Sequence, residues 1–253
     1  MNVQDFVAYI GAAAWLPHIG RLIYNQCTKP VLKIVPNQFA EVSYTAFGPI
    51  FNIKVAMISE KKSLLIEDIE LEIKHSDGTT HNLRWAGIIE TFSEITDNFG
   101  NRQVVSKELT PTAMRLQQDY LNEKTIRFQE PKYHDTDKEL TNQLASHISY
   151  LKSSEGEVTR ENISKSQEMH SLVKYRESKF NWKIGNYTGK FKVKSSSGFI
   201  FSEDNFKFNI ESTEIEMLTM NIPFLKTFLI ESIYPPIEKS EIVWNWIYPK
   251  IKK

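Results

Sequence analysis

A chain of 253 residues, 41% hydrophobic and 25% charged, can bury a full core, either as one large domain or as a domain with an inserted lobe. Lys+Arg and Asp+Glu both number 31, so there is no basic excess to displace counterions from a duplex, and nucleic acid is not an expected partner. The single cysteine, Cys27, excludes an internal disulfide and suits a reducing, cytoplasmic compartment.

After MNVQD the chain runs FVAYIGAAAWLPHIGRLIY (6–24), whose first part, 6–16, carries no charge. A helix apolar all round belongs in a core or a membrane. A membrane span needs about 20 mainly apolar residues, a length reached here only by including Pro17, His18, Gly20 and Arg21. Two readings follow. Either the segment attaches to a membrane, with Phe6, Trp15, Leu16, Arg21 and Tyr24 as the contacts, or it is a helix packed on the domain. Asp5 before the run and Pro17 within it argue against a cleaved signal peptide. Arg21, Lys29 and Lys33 follow the segment while only Asp5 precedes it, which places the bulk of the chain on the cytoplasmic face. The expected division is a hydrophobic helix over 1–28 and a domain over 29–253.

Strand patterns begin at VLKIV (31–35), bounded by Pro30 and Pro36, and continue through FAEVSYTAF (39–47). In IFNIKVAMI (50–58) Phe51, Ile53, Val55 and Met57 share one face. LLIEDIELEIKHSDGTTHNLRW then reads as a hairpin turning near Asp77-Gly78. Matching the apolar faces pairs Ile73 with Leu83 and Leu71 with Trp85, sets His75 beside His81, and puts Glu72 near Arg84 for a few tenths of a kcal/mol, about 0.3. More strands are expected at 87–92, around Val104–Val105 and at 125–129, with DNFGN (97–101) as a turn.

Residues 131–179 are poorer in large apolar residues and read as a helical insertion forming a surface lobe. Thr136 and Glu139 fit a capping box before a stripe of Leu140, Leu144, Ile148 and Leu151; a weaker helix covers about 164–177. Strands resume at 180–194 and 205–210. A packing helix over 213–229, kinked at Pro223, carries Ile215, Leu218, Ile222, Leu225 and Leu229. IVWNWIY (242–248) closes the chain as a strand or irregular edge. The expected fold is mainly β, an antiparallel β-sandwich with a hydrophobic N-terminal helix, a helical insertion and a C-terminal packing helix.

The sharpest constellation for chemistry is His75 and His81 with Asp77, two imidazoles and a carboxylate able to ligate a metal. His134, Asp135 and Asp137 precede a helix, where negative charge at an N-terminus explains the acids. His147 belongs to the rim of its helix stripe, and His170 has no evident partner. Alternation puts Asp68, Glu70 and Glu72 on a solvated face, and Lys190, Lys192 and Lys194 on a half-exposed strand. Trp244, Trp246 and Tyr248 beside Lys250, Lys252 and Lys253 suit either core packing or a membrane interface. The sequence contains no GxGxxG, GxxxxGK[ST], GxSxG, HExxH or CxxC, so no cofactor is expected. The leading expectation is a non-enzymatic interaction module tethered to the cytoplasmic face of a membrane, with lipid and a protein as partners. The alternatives are a metal-dependent hydrolase centred on His75 and His81, and a structural homo-oligomer.

Overall fold

The computed structural model describes residues 3–96, 102–154, 158–201, 205–235 and 242–252, with side chains for all of these except 3–13, 25, 91–96 and 102–105. In chain order the elements are α1 (Val3–Cys27), β1 (Val31–Thr45), β2 (Gly48–Glu60), β3 (Leu64–Ile66), β4 (Asp68–His75), β5 (Thr80–Thr96), β6 (Arg102–Leu109), β7 (Met114–Leu116) and β8 (Asn122–Gln129). The helical insertion follows as α2 (Pro131–Ser154), α3 (Arg160–Lys165) and α4 (Gln167–Ser178). The chain ends with β9 (Gly185–Lys194), β10 (Ile200–Phe201), β11 (Phe206–Ile210), α5 (Ser212–Thr219), α6 (Ile222–Ile233) and β12 (Trp246–Ile247).

The protein is mainly β, built on a large curled mixed sheet. Its strands run β1-β2-β8-β5-β4-β9-β11, each antiparallel to the next, with β10 added parallel to the start of β1 and β6 extending β5. In place of the expected sandwich of two facing sheets, the main sheet has its two ends joined by the C-terminal segment, and β3 and β7 form a separate two-stranded antiparallel sheet. That segment pairs with β1 through Val42↔Ile247, Ser43↔Trp246 and Phe39↔Lys250, and with β11 through Lys207↔Lys252. An eight-membered ring of this kind leaves an interior that side chains alone can fill. Here they do: Tyr44, Phe51, Phe128, Tyr187, Phe206 and Phe208 are all buried in one core, with Tyr187 and Phe208 stacked at 5.0 Å.

Strand alternation places the core residues as expected. Phe51, Ile53, Val55 and Met57 of β2 are buried to a residue. Pro36 does not end a strand: it pairs with Val55, and β1 continues through a bulge between Pro36 and Ala40, an irregularity at which proline is tolerated. In the β4–β5 hairpin Ile73 pairs with His81 and Leu71 with Leu83, two residues from the expected register. A slip of two keeps every side chain on its face, so apolar matching could not detect it. Arg84 consequently bonds Asp68 at 2.9 Å, and Glu72 reaches Lys192 at 2.5 Å. Asp68 is buried rather than solvated. The DNFGN turn lies outside the described residues.

The helices cap the end of the barrel opposite α1. The first of them, α2, begins at Pro131, earlier than the expected Thr136 capping box, and the next stretch is broken at Ser166, whose hydroxyl accepts from Met169 N. A second core of Leu144, Ile163, Met169, Leu172, Val173 and Leu229 holds this lobe together. Its joint to the barrel is polar: Tyr44 Oη donates to the Arg176 carbonyl, Tyr133 Oη to the Ala46 carbonyl at 3.2 Å and Tyr175 Oη to the Tyr133 carbonyl at 3.1 Å. Arg176 grips Asp137 with two bonds of 2.7 and 3.1 Å. Gly48, at φ 80°, leaves space that a Cβ would take from the Tyr133 ring, 2.7 Å away.

The expected helix over 213–229 is two helices. Pro223 opens α6 rather than kinking a continuous rod, and the break at Asn221 has a use. Asn221 is fully buried; its amide donates to the Asn245 carbonyl at 3.0 Å, and its oxygen accepts from Asn245 N at 2.8 Å. Ser43 Oγ of β1 donates to the same carbonyl at 2.8 Å. The C-terminal segment is thereby fixed where it enters the gap between β1 and β11. Asn221→Ala orphans these groups and is expected to cost about 2–3 kcal/mol in urea unfolding. Hydrogen exchange should quicken at Ile251 and Lys252 while β4 and β5 stay protected. Unchanged exchange at the segment would show that Asn221 does not secure the closure.

Candidate functional site

Two regions come from the residues singled out by sequence. His75 ends β4 and His81 is the second residue of β5, both facing the barrel interior at the lobe end, 7% and 3% exposed. They lie on one face but diagonally, not directly opposed. His75 Nε2 is 3.1 Å from the Ile184 carbonyl, and Nδ1 is 2.9 Å from Asp77 Oδ1, so both ring nitrogens have protein partners. Gly185, at φ 134°, packs where a Cβ would stand 2.7 Å from His75 Nε2. Asp77 faces outward to Lys183 Nζ at 2.6 Å and Thr79 N at 2.8 Å; these bonds, that of Lys183 foremost, hold its carboxyl far below the usual range.

His81 has different surroundings. Its ring stacks on Trp182 at 5.2 Å, and Nε2 is buried with no hydrogen-bond partner among the described residues. Burial, with the nearby His75, pushes its pKa down to about 4. Among the described residues no group of three or more His, Cys, Asp or Glu is arranged to hold a metal ion. The cluster is a packed aromatic-imidazole plug in the barrel mouth.

The second region is α1. From Trp15 to Tyr24 its large apolar side chains are all exposed, with Trp15 at 67%, Leu16 at 65% and Leu22 at 59%. The alternative of a helix packed on the domain is therefore not what the described half shows. At about 100° per residue, Trp15, Leu16, Ile19, Leu22 and Ile23 fall on one face and Arg21 on the other, with His18 at the boundary, its ring 6.0 Å from that of Trp15. Tyr24 lies nearly opposite Trp15, and the side chain of Phe6 is outside the described residues. Among the described residues no helix is long and apolar enough to cross a membrane, which sets aside the spanning form of the expectation. Ile19, Leu22 and Ile23 were not anticipated as contacts, although their spacing was legible.

Most of the remaining candidates have structural partners. Asp137 is the partner of Arg176, His134 bonds Gln129 Oε1 at 3.0 Å, His147 stands 3.7 Å from Glu168, and His170 is exposed. Trp244 packs against Phe228 at 5.8 Å. Lys192 and Lys194 bond Glu72 and Glu70.

No protein-family model, curated protein or solved structure matches the chain. Function must be read from the molecule's own surfaces.

His81 yields a pH test. Unfolded, it takes a proton near pH 6.5, and folded only near 4. Its contribution is thus intact above about pH 6.5 and lost as pH falls toward 4, by about 3 kcal/mol. His81→Phe keeps a ring against Trp182 without a titrating group. Between pH 7 and 4.5 the variant should lose less stability than wild type by roughly that amount; parallel pH profiles would show that His81 is not held neutral.

Proposed function

We propose that this protein is a non-enzymatic binding module held at the cytoplasmic face of a membrane by α1. The observation that carries the reading is the exposed apolar face of Trp15, Leu16, Ile19, Leu22 and Ile23, set against Arg21 with His18 at its edge. A helix of this pattern lies in the plane of the lipid interface, with its apolar face below the headgroups. Partial burial of five such side chains is worth on the order of 5 kcal/mol. Arg21, and Lys29 just beyond the helix, add attraction to an anionic leaflet of about 1 kcal/mol each. The barrel would then present its helical lobe away from the lipid, because α1 leaves from the opposite end. A protein partner is expected on that outward end.

Vesicle flotation tests the reading. Full-length protein should float with anionic vesicles, and a variant carrying Ile19→Glu, Leu22→Glu and Ile23→Glu should remain at the bottom with its thermal midpoint unchanged, since these side chains do not pack on the barrel. Equal flotation of the two proteins would remove α1 as the attachment. If a second copy covers the face instead, wild type would stay out of the lipid layer and sediment as an oligomer that the variant does not form.

A further inference from the structure

Many lysines on the outer wall of the barrel reach a carboxylate. Lys33, Lys54, Lys124, Lys192 and Lys194 each lie 2.5–2.7 Å from a glutamate oxygen. The closing seam departs from this. Lys207 on β11 and Lys252 exchange both backbone hydrogen bonds, at 2.7 and 2.8 Å, so their side chains stand directly opposite, about 5.5 Å apart at Cα. Lys250 is two residues back on the same outer face. All three are exposed, and among the described residues none has a carboxylate partner. Like charges directly opposed across strands work against pairing, and here they do so at the joint that closes the sheet.

The three lysines border a groove of about 690 Å³ that also contains Asn186, Asn209 and Tyr248. Asn186 and Asn209 are register partners on β9 and β11, so two amides lie side by side next to the ammonium groups. Glu211 and Glu214 also edge the groove at the start of α5, where Glu214 Oε2 accepts from Glu211 N at 2.8 Å. Both carboxylates keep their charge, so the three lysines exceed the acids of the lining by one. The groove falls in the size range of small-molecule sites, and three ammonium groups and two amides supply its donors beside the two carboxylates.

We propose that this groove binds a small polyanion of the phosphate class. Lys207, Lys250 and Lys252 supply the charge, and Asn186 and Asn209 donate hydrogen bonds to its oxygens. An anion bridging Lys207 and Lys252 turns a repulsive pair into a tied one, so binding strengthens closure of the barrel. The proposal is independent of α1.

Calorimetry and thermal unfolding of the full chain with pyrophosphate, at ionic strength matched with sodium chloride, test it. The wild-type midpoint should rise saturably with pyrophosphate and not with chloride. The Lys207→Gln/Lys252→Gln double variant should unfold about 2 °C higher than wild type without ligand, and bind pyrophosphate at least about 10-fold more weakly. Lys250→Gln, outside the opposed pair, should weaken binding without raising the basal midpoint. An equal midpoint rise in chloride, or undiminished pyrophosphate binding by the double variant, overturns the site. Flotation with neutral vesicles, with or without a phosphoinositide, identifies the source. If a lipid headgroup supplies the phosphate, the phosphoinositide increases capture of wild type but not of the double variant. If the anion is free in solution, both proteins are captured equally while pyrophosphate binding still separates them.

Discussion

The curled sheet depends on one late event in the chain: insertion of residues 246–252 between β1 and β11. Without it, β1 and β11 would be open edges, each a row of unpaired backbone groups. With it, Ile247 and Ile251 enter the core, at about 1.5–3 kcal/mol each, and the aromatic interior is shielded along its full length. The Asn221–Asn245–Ser43 cluster is the latch, placed where α5 passes into α6.

The same closure sets the chemistry at each end. At the lobe end the barrel mouth is filled by Trp182, Tyr187 and the two histidines, and burial raises the Tyr187 hydroxyl above its ordinary value. Trp182 Nε1, Tyr187 Oη and His75 Nε2 are each matched to a backbone carbonyl, and His81 Nε2 is left without a partner among the described residues. The tyrosine joint beneath the lobe follows this rule as well: Tyr44 and Tyr133 are both pushed well above the usual phenol range, chiefly by desolvation. Each hydroxyl therefore stays protonated and donates to a carbonyl. Chemistry that needs open lone pairs or accessible charge is left to the outer wall and to α1.

How much of this was legible in sequence depended on the range of the interactions. The period-2 pattern of Phe51, Ile53, Val55 and Met57 marked both a strand and its inner face, and the stripe of Leu144 and Leu151 marked a helix that packs. Register was not legible, because sliding Ile73 from Leu83 to His81 leaves the faces unchanged. Barrel closure was invisible, since Ser43 and Trp246 are joined across some 200 residues of chain with no local signal; a sandwich would bury the same positions. Pro36 and Pro223 misled for a common reason: proline excludes a donor, and a bulge or a helix start does not need one. In the candidate regions, the apolar character of 6–24 was plain, but its described half is two-faced, a property that average hydropathy hides.

The geometry therefore points outward, to a helix with an uncovered apolar face on a barrel whose interior is full. The most direct measurement places nitroxide labels at Ile19→Cys, Leu22→Cys and Arg21→Cys, one at a time in a Cys27→Ser background, and compares collision with oxygen and with a water-soluble nickel chelate before and after adding anionic vesicles. If α1 lies in the interface, labels at 19 and 22 gain oxygen contact and lose nickel contact, while the label at 21 stays open to nickel. Three labels that respond alike, or none that responds, would contradict an interfacial helix.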